Sequence, residues 1–245
     1  MITDAIASIC YPSRADASFQ ESIEDITTFI ESRTLPYPTQ LEDDFASRAL
    51  KLGVESGMVL DVGTRVGLTA LKLLWQNENF YSIGIDSSGP MIEHARATAL
   101  AWELGERAVF QVGDARKMRF KTAYFDVVIS DSTLHRFDDA VAVVREIQRV
   151  LKPKGALLIR DFRRPNRIRM SKHIRELSAR FGNAMHRQIE MAIRAAYTEA
   201  ELMRIVHDAH LQGIQMVETD PNYITIERRG ETDPGSWIIA REQYR

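Results

Sequence analysis

Met58–Gly67 reads Met-Val-Leu-Asp-Val-Gly-Thr-Arg-Val-Gly, and the fold follows from how that stretch is read. Met58–Val62 is a short apolar run, rich in residues that favour extended chain and bounded by Gly57 and Gly63. It reads as a buried strand. Gly63 and Gly67 punctuate a turn, after which Leu68, Leu71, Leu74 and Trp75 recur at helical spacing. In a strand, glycine turn and helix of this kind, backbone N–H groups approach a ligand closely and the helix start favours its negative end. A glycine turn alone is a weak sign. It gains weight from Asp86, which closes the next apolar strand, Tyr81–Ile85, 25 residues after Asp61. In nucleotide-binding βαβ units the ribose-binding acid follows the glycine loop by about 20 residues.

Upstream, Ser18 and Glu21 match a capping box, and Phe19, Ile23, Ile26 and Ile30 continue at helical spacing. Leu35-Pro36-Tyr37-Pro38 breaks that helix, because each proline disfavours helix in the residue before it. Thr39 and Glu42 match a second box, leading into Leu41, Phe45, Ala49 and Leu52, with Gly53 as the stop. These two helices either cover a cleft or pack against the sheet edge.

Downstream of Asp86, a helix is expected from Met91 to about Leu104, then a third strand at Ala108–Val112, followed at once by Gly113-Asp114-Ala115. Phe125–Ser130 is nearly all apolar and reads as a fourth strand buried on both faces. Asp138 or Asp139 caps a helix carrying Val141, Val144, Ile147 and Leu151. Lys152-Pro153-Lys154-Gly155 stops it, and Ala156–Ile159 is the fifth strand. Strands alternating with helices predict an α/β fold with a mostly parallel, doubly wound sheet.

The pattern then changes. Between Arg163 and Arg194 nine Arg or Lys residues face two Glu, while Ile174, Leu177, Phe181, Met185, Ile189 and Ile193 fall at steps of three or four. That is one long amphipathic helix, or two short ones broken at Gly182-Asn183. Thr198 and Glu201 form a third capping box for a helix running to about His210. Ile214–Val217 and Tyr223–Glu227, joined by Asp-Pro-Asn, read as an antiparallel terminal strand pair. The whole reads as one domain: N-terminal helices over 1–53, a ligand-binding core over 54–162, an inserted helical cover over 163–196, the terminal helix and strand pair over 197–229, and a tail over 230–245.

The 245 residues suffice for a sizeable core, and a net charge of −2 argues only against a wholly basic nucleic-acid binder. One cysteine, Cys10, permits no internal disulfide and suits a reducing compartment. No apolar run approaches the ~18 residues of a membrane span, and no basic-then-apolar secretory signal opens the chain. A cytoplasmic protein is expected. The histidines are scattered without the spacing of metal ligands, so no metal is expected.

Ligands of open α/β sheets bind outside the carboxyl ends of the strands. The residues there are Gly63-Thr64-Arg65, Asp86-Ser87, Gly113-Asp114-Ala115, Ser130-Asp131-Ser132 and Asp161-Phe162-Arg163. Ionised carboxylates only accept hydrogen bonds, so Asp86 suits a ribose diol and Asp114 an exocyclic amine. Together they describe a nucleoside held across the strand ends.

These residues also match a known family. Val-Leu-Asp-Val-Gly-Thr-x-Val-Gly, Ile-Gly-Ile-Asp-Ser-Ser-x-x-Met-Ile-Glu-x-Ala and Gly-Asp-Ala resemble class I S-adenosylmethionine-dependent methyltransferases. So do Phe-Asp-Val-Val-Ile-Ser-Asp-Ser-Thr-Leu-His-Arg-Phe and Glu-Ile-Gln-Arg-Val-Leu-Lys-Pro-Lys-Gly. The resemblance runs over roughly Leu41–Asp161, is closest to the small-molecule branch that includes quinone-biosynthesis enzymes, and says little about the substrate. It implies a Rossmann-like seven-stranded sheet, S-adenosyl-L-methionine as cofactor and a small-molecule methyl acceptor. By this resemblance Asp61, Gly63, Thr64 and Gly67 form the loop around the methionine part of the cofactor. Asp86 is the ribose acid, with Ser87 and Met91 beside the adenosine; Gly113, Asp114 and Ala115 lie at the adenine, and Ser130 lies under the sulfonium.

The chain departs from the family at Arg65, where glycine is usual, and at Arg136, where histidine often follows the residue matching His135. Arg65 either obstructs the cofactor or pairs with its carboxylate. His135 and Asp131, just beyond the fourth strand, are the candidates for a general base. Two alternatives remain at this level: an RNA methyltransferase using the basic 163–194 helices, and a non-catalytic protein that kept the fold and lost the cofactor through Arg65. A NAD-dependent reductase fits less well, since the spacing GxGxxG is absent.

Overall fold

The computed structural model describes residues 22–232. At its centre is the strand expected from the opening stretch: β1 (Gly57–Val62), buried along its whole length. It lies between β2 (Phe80–Asp86) and β4 (Phe125–Asp131), parallel to both. β3 (Ala108–Val112) extends the sheet beyond β2, and β5 (Leu151–Phe162) beyond β4, again in parallel. β7 (Tyr223–Arg228) runs antiparallel to β5, and β6 (Gln215–Val217) antiparallel to β7. The order is β3-β2-β1-β4-β5-β7-β6, with β7 alone running against the rest. The strand order therefore reverses between β1 and β4, and a crevice opens at their carboxyl ends.

Helices cover both faces. On one face α2 (Pro36–Ala49), α3 (Leu68–Gln76) and α4 (Gly89–Ala101) bury Phe45, Leu71, Leu74 and Ile92 against Val59, Val127 and Leu158. On the other, α5 (Ala140–Val150) and α8 (Glu199–Asp208) bury Val144, Ile147, Leu202 and Val206 against Leu60, Val128 and Ile226. A third cluster lies over the strand ends. There α1 (Ile23–Ser32), α6 (Met170–Phe181) and α7 (His186–Ala195) bring Phe29, Phe181 and Ile189 together with Val66, Phe162 and Tyr223. The basic segment is thus two helices, broken at Gly182, whose φ of 89° favours a residue without Cβ.

Several local expectations need correction. α2 begins at Pro36, not after a Thr39–Glu42 capping box: proline is tolerated in the first turn, where its missing N–H has no helical partner anyway. Thr39 Oγ1 instead donates to Arg33 O, and Glu42 is buried in ion pairs with Arg33 and Lys72. Trp75, read as part of the apolar face of α3, is 70% exposed and meets Trp102 edge to face. β5 starts at Leu151, directly after α5. Its partners jump from Phe125↔Leu151 to Val127↔Ala156, so Lys152–Gly155 form an irregularity inside the strand. The Ser18–Glu21 box lies outside the described residues; α1 starts instead from a Ser22–Asp25 capping box. Asp139, one of two candidates, caps α5 by accepting from the Ala142 N–H, and the Thr198–Glu201 box is present.

Candidate active site

The turn after β1 sits against β2. The N–H groups of Gly63 and Thr64 both donate to Ile85 O, at 2.9 Å each. Gly63 has φ 75°, and a Cβ there would lie 2.2 Å from the Thr133 side chain, so only glycine fits. Gly67 (φ 78°) lets the start of α3 approach Phe110. Arg65 also takes a left-handed backbone, φ 51°, the conformation that glycine adopts at least cost. Its N–H donates to Asp86 Oδ2 at 3.0 Å, while Asp86 Oδ1 accepts from Ser88 N at 2.9 Å. Two backbone groups therefore fix the Asp86 carboxylate and leave it further lone pairs.

The Arg65 guanidinium lies 3.4 Å from the centre of the Phe29 ring, so it reaches from the loop to α1. A cation on an aromatic face is worth about 0.5–2 kcal/mol. In Arg65→Gly, amide exchange across residues 23–32 is accordingly expected to quicken by roughly 2- to 30-fold. Unchanged exchange in a folded variant would show that the stack does not hold α1.

Asp61, Gly63, Thr64, Arg65, Asp131 and His135 line one cavity. Ser130 sits just beneath, buried, its Oγ donating to Val62 O at 3.0 Å and tying β4 to β1. Met91 is fully buried in the cluster over the strand ends. Asp86, Ser87, Gly113, Asp114 and Ala115 stand outside the cavity, on the neighbouring strand ends. Asp114 is exposed and held by Arg116 at 3.0 Å, which keeps its carboxyl below the usual carboxylate range.

Asp61 is buried, and burial pushes its carboxyl from 3.8 up to about 7. The Thr64 hydroxyl, 2.6 Å away, opposes that rise; Asp131 and Asp86 add to it. In the unfolded chain the carboxyl ionises near its ordinary value, so between about pH 4 and 7 the folded state holds the extra proton. Stability should therefore fall by a few kcal/mol as pH rises through this window, and stay at the lower level above it. Denaturation across that range should show a slope that Asp61→Asn flattens; the same slope in both proteins would remove Asp61 as its source.

Asp131 is not a free base. Arg160, itself buried, grips it through two bonds, Nε to Oδ1 at 2.9 Å and Nη2 to Oδ2 at 2.6 Å, and donates from Nη1 to Leu41 O at 3.0 Å. The His135 ring is held instead by Asp161, which the sequence places at a strand end but does not pair with His135. His135 Nδ1 lies 2.6 Å from Asp161 Oδ1, and Asp161 also accepts the N–H groups of His135 and Phe162. An ionised carboxylate only accepts, so Nδ1 carries the proton and Nε2 is the basic nitrogen. Opposite the loop, the cavity is closed by apolar side chains of α1 and the inserted segment: Phe29, Phe181, Met185, Ile189 and Ala192.

Several basic residues of the inserted segment pair with acids of the same chain. Arg163 pairs with Glu199, Arg164 with Glu201, Arg187 with Asp25 and Arg194 with Glu190. The RNA-binding alternative is therefore not favoured. Among the described residues, no helix is long and apolar enough to cross a membrane.

A family model described as a methyltransferase domain matches residues 54–210. The chain is 33% identical over 132 residues to 27-O-demethylrifamycin SV methyltransferase of Amycolatopsis mediterranei, covering 54% of this chain and 48% of that protein. It is 35% identical over 117 residues to the demethylmenaquinone methyltransferase of Thermotoga maritima, covering 48% of each. The aligned region thus spans about half the length of these relatives. A solved S-adenosylmethionine-dependent methyltransferase from Aquifex aeolicus superposes with a TM-score of 0.61 at 22% identity, covering 78% of this chain and 92% of that one, and shares the fold.

Proposed function

We propose that this chain, which belongs to the methyltransferase domain family matched over residues 54–210, moves a methyl group from S-adenosyl-L-methionine to a hydroxyl of an apolar small molecule, with the His135–Asp161 pair as its base. The observation that carries the reading is the 2.6 Å contact of His135 Nδ1 with Asp161, on a ring that lines a cavity with an apolar cover. The names of the two relatives, for a demethylated rifamycin and a demethylated menaquinone, agree with a small-molecule acceptor.

The residues fit the cofactor. Asp61 lines the cavity just before the Gly63 turn and Asp86 accepts the Arg65 N–H just after it, so carboxylate oxygens stand at both ends of the turn. Asp61, Gly63, Thr64, Arg65 and Gly67 would hold the methionine end, Asp86, Ser87 and Met91 the ribose side, Gly113, Asp114 and Ala115 the adenine, and Ser130 the floor. When bound, the cofactor supplies an electrophilic methyl group on a sulfonium. The protein aligns the acceptor oxygen and takes its proton at His135 Nε2, while Asp161 keeps the ring in one tautomer and offsets the charge that it gains. Arg160 fixes Asp131 through two hydrogen bonds, which makes Asp131 a positioning residue. The 163–196 helices, with α1, cover the cavity and would select the acceptor by its shape.

Calorimetric titration with S-adenosyl-L-methionine and S-adenosylhomocysteine tests the reading. Both should bind. A cationic ligand beside Asp61 favours the ionised carboxyl, so at pH 6 binding should release close to one proton, and at pH 8 almost none. Titration in buffers of different ionisation enthalpy measures that number. Absence of binding by either ligand would end the cofactor assignment.

A further inference from the structure

A second hollow opens beside the connection from β5 to α6. Arg163, Arg169, Lys172, His173, Glu176 and Pro221 line it, and it holds about 540 Å³, within the range of sites for small organic ligands. In two of these residues a nitrogen atom, Arg163 Nε and His173 Nε2, is buried and has no hydrogen-bond partner among the described residues. Buried polar groups are rarely left in that state, because each loses its bonds to water and gains nothing in return.

The Arg163 head group is fixed: Nη2 is 2.8 Å from Glu199 Oε1, and the backbone N–H donates to Asn222 O at 2.8 Å. The rim is shaped by Asn166, whose Oδ1 accepts the Arg169 N–H at 3.0 Å, and α6 then begins without a side-chain cap. Lys172 reaches Glu176 only at 3.7 Å, on exposed side chains, so its charge is little spent. Burial lowers the pKa of His173, with Glu176 and Asp220 opposing, so near neutral pH the ring is a neutral hydrogen-bond partner rather than a second cation. The hollow therefore holds more donors than acceptors and an excess of positive charge.

We infer that this hollow binds the phosphate group of a phosphomonoester carried by a small molecule. Such a group brings three acceptor oxygens and a charge of about −1.5 to −2, which matches a hollow lined by two arginines and a lysine better than a carboxylate does. No Phe, Tyr or Trp is among the described residues that line it. Single-stranded nucleic acid, which is held by stacked bases as well as phosphates, fits it less well. The site is separate from the proposed methyl transfer: none of Arg163, Arg169, Lys172 or His173 lines the reaction cavity.

The test titrates the full chain with glycerol 3-phosphate, with inorganic phosphate and with tRNA. The variants are Arg169→Ser/Lys172→Ser and, as a control, Arg175→Ser; all three positions are exposed on or beside α6, and Arg175 is not part of the hollow's lining. Glycerol 3-phosphate should bind saturably, at least tenfold more weakly in the double variant and unchanged in Arg175→Ser. Saturable binding of inorganic phosphate with the same pattern would show that the phosphate group itself is what is recognised. Non-saturable binding would overturn the inference, and so would equal loss in Arg175→Ser. Binding of tRNA without glycerol 3-phosphate would also overturn it. Thermal melting of each variant separates loss of binding from loss of fold, and titration with S-adenosylhomocysteine reads the other site on its own.

Discussion

Replacing His135 with glutamine is expected to lower kcat by about 10²- to 10⁴-fold, the usual contribution of a positioned general base, while S-adenosylhomocysteine affinity changes by no more than about threefold. The ring lines the cavity and is held by the protein at Nδ1, so its loss removes the proposed proton acceptor without touching the glycine loop. Asp161→Asn should give a fall of similar order by another route. An amide presents its NH2 group as readily as its oxygen, which permits the tautomer with Nε2 protonated and therefore not basic. Single-turnover assays with a competent acceptor would separate the two effects from product release. Retention of kcat within twofold in His135→Gln would remove the base from the mechanism. It would point instead to an acceptor that is already a nucleophile.

The second large effect concerns stability. Arg160→Met should cost about 3–5 kcal/mol, because it leaves the largely buried Asp131 carboxylate without its partner. The guanidinium makes two bonds to Asp131, beside one from the Ser132 hydroxyl, and it also lies over the rings of Phe45 and Tyr223, 4.7 and 5.1 Å from their centres. Much of the loss should return in Arg160→Met/Asp131→Leu, where neither charge is buried alone. Urea denaturation of the two variants and the parent would measure both quantities. A single variant within about 1 kcal/mol of the parent would mean that water reaches Asp131 freely.

The features legible in the sequence were those that local chemistry determines. Apolar runs between glycines marked the strands, and Gly182 marked the break between α6 and α7. The acids after β2 and β3 were visible because they stand at strand ends. What was missed depends on partners far along the chain. Asp131 meets Arg160 only because β4 and β5 are neighbours in a register that places them side by side. His135 meets Asp161 one residue further on. Given that adjacency, pairing the residues after β4 with those at the end of β5 would have found both contacts. Trp75 was misplaced because helical spacing identifies a face but not its outer margin, where a large ring can lie against another ring in solvent. The start of α2 was misplaced because a proline that ends one helix can open the next.

The place of β7 has a consequence for biosynthesis. Gln215–Val217 leave the ribosome before Tyr223–Arg228, yet the later segment lies between the earlier one and β5. Until it emerges, the outer edge of Leu157–Phe162 has no strand beside it, and the nascent chain carries an apolar edge open to pairing with other chains. Tyr223 then stacks on Phe162 at 4.8 Å, and both rings line the cavity that holds His135. One wall of that cavity is therefore completed only when translation has passed Tyr223. A chain released earlier would have the glycine loop and the His135–Asp161 pair in its sequence, but not the wall against which the proposed acceptor would be held.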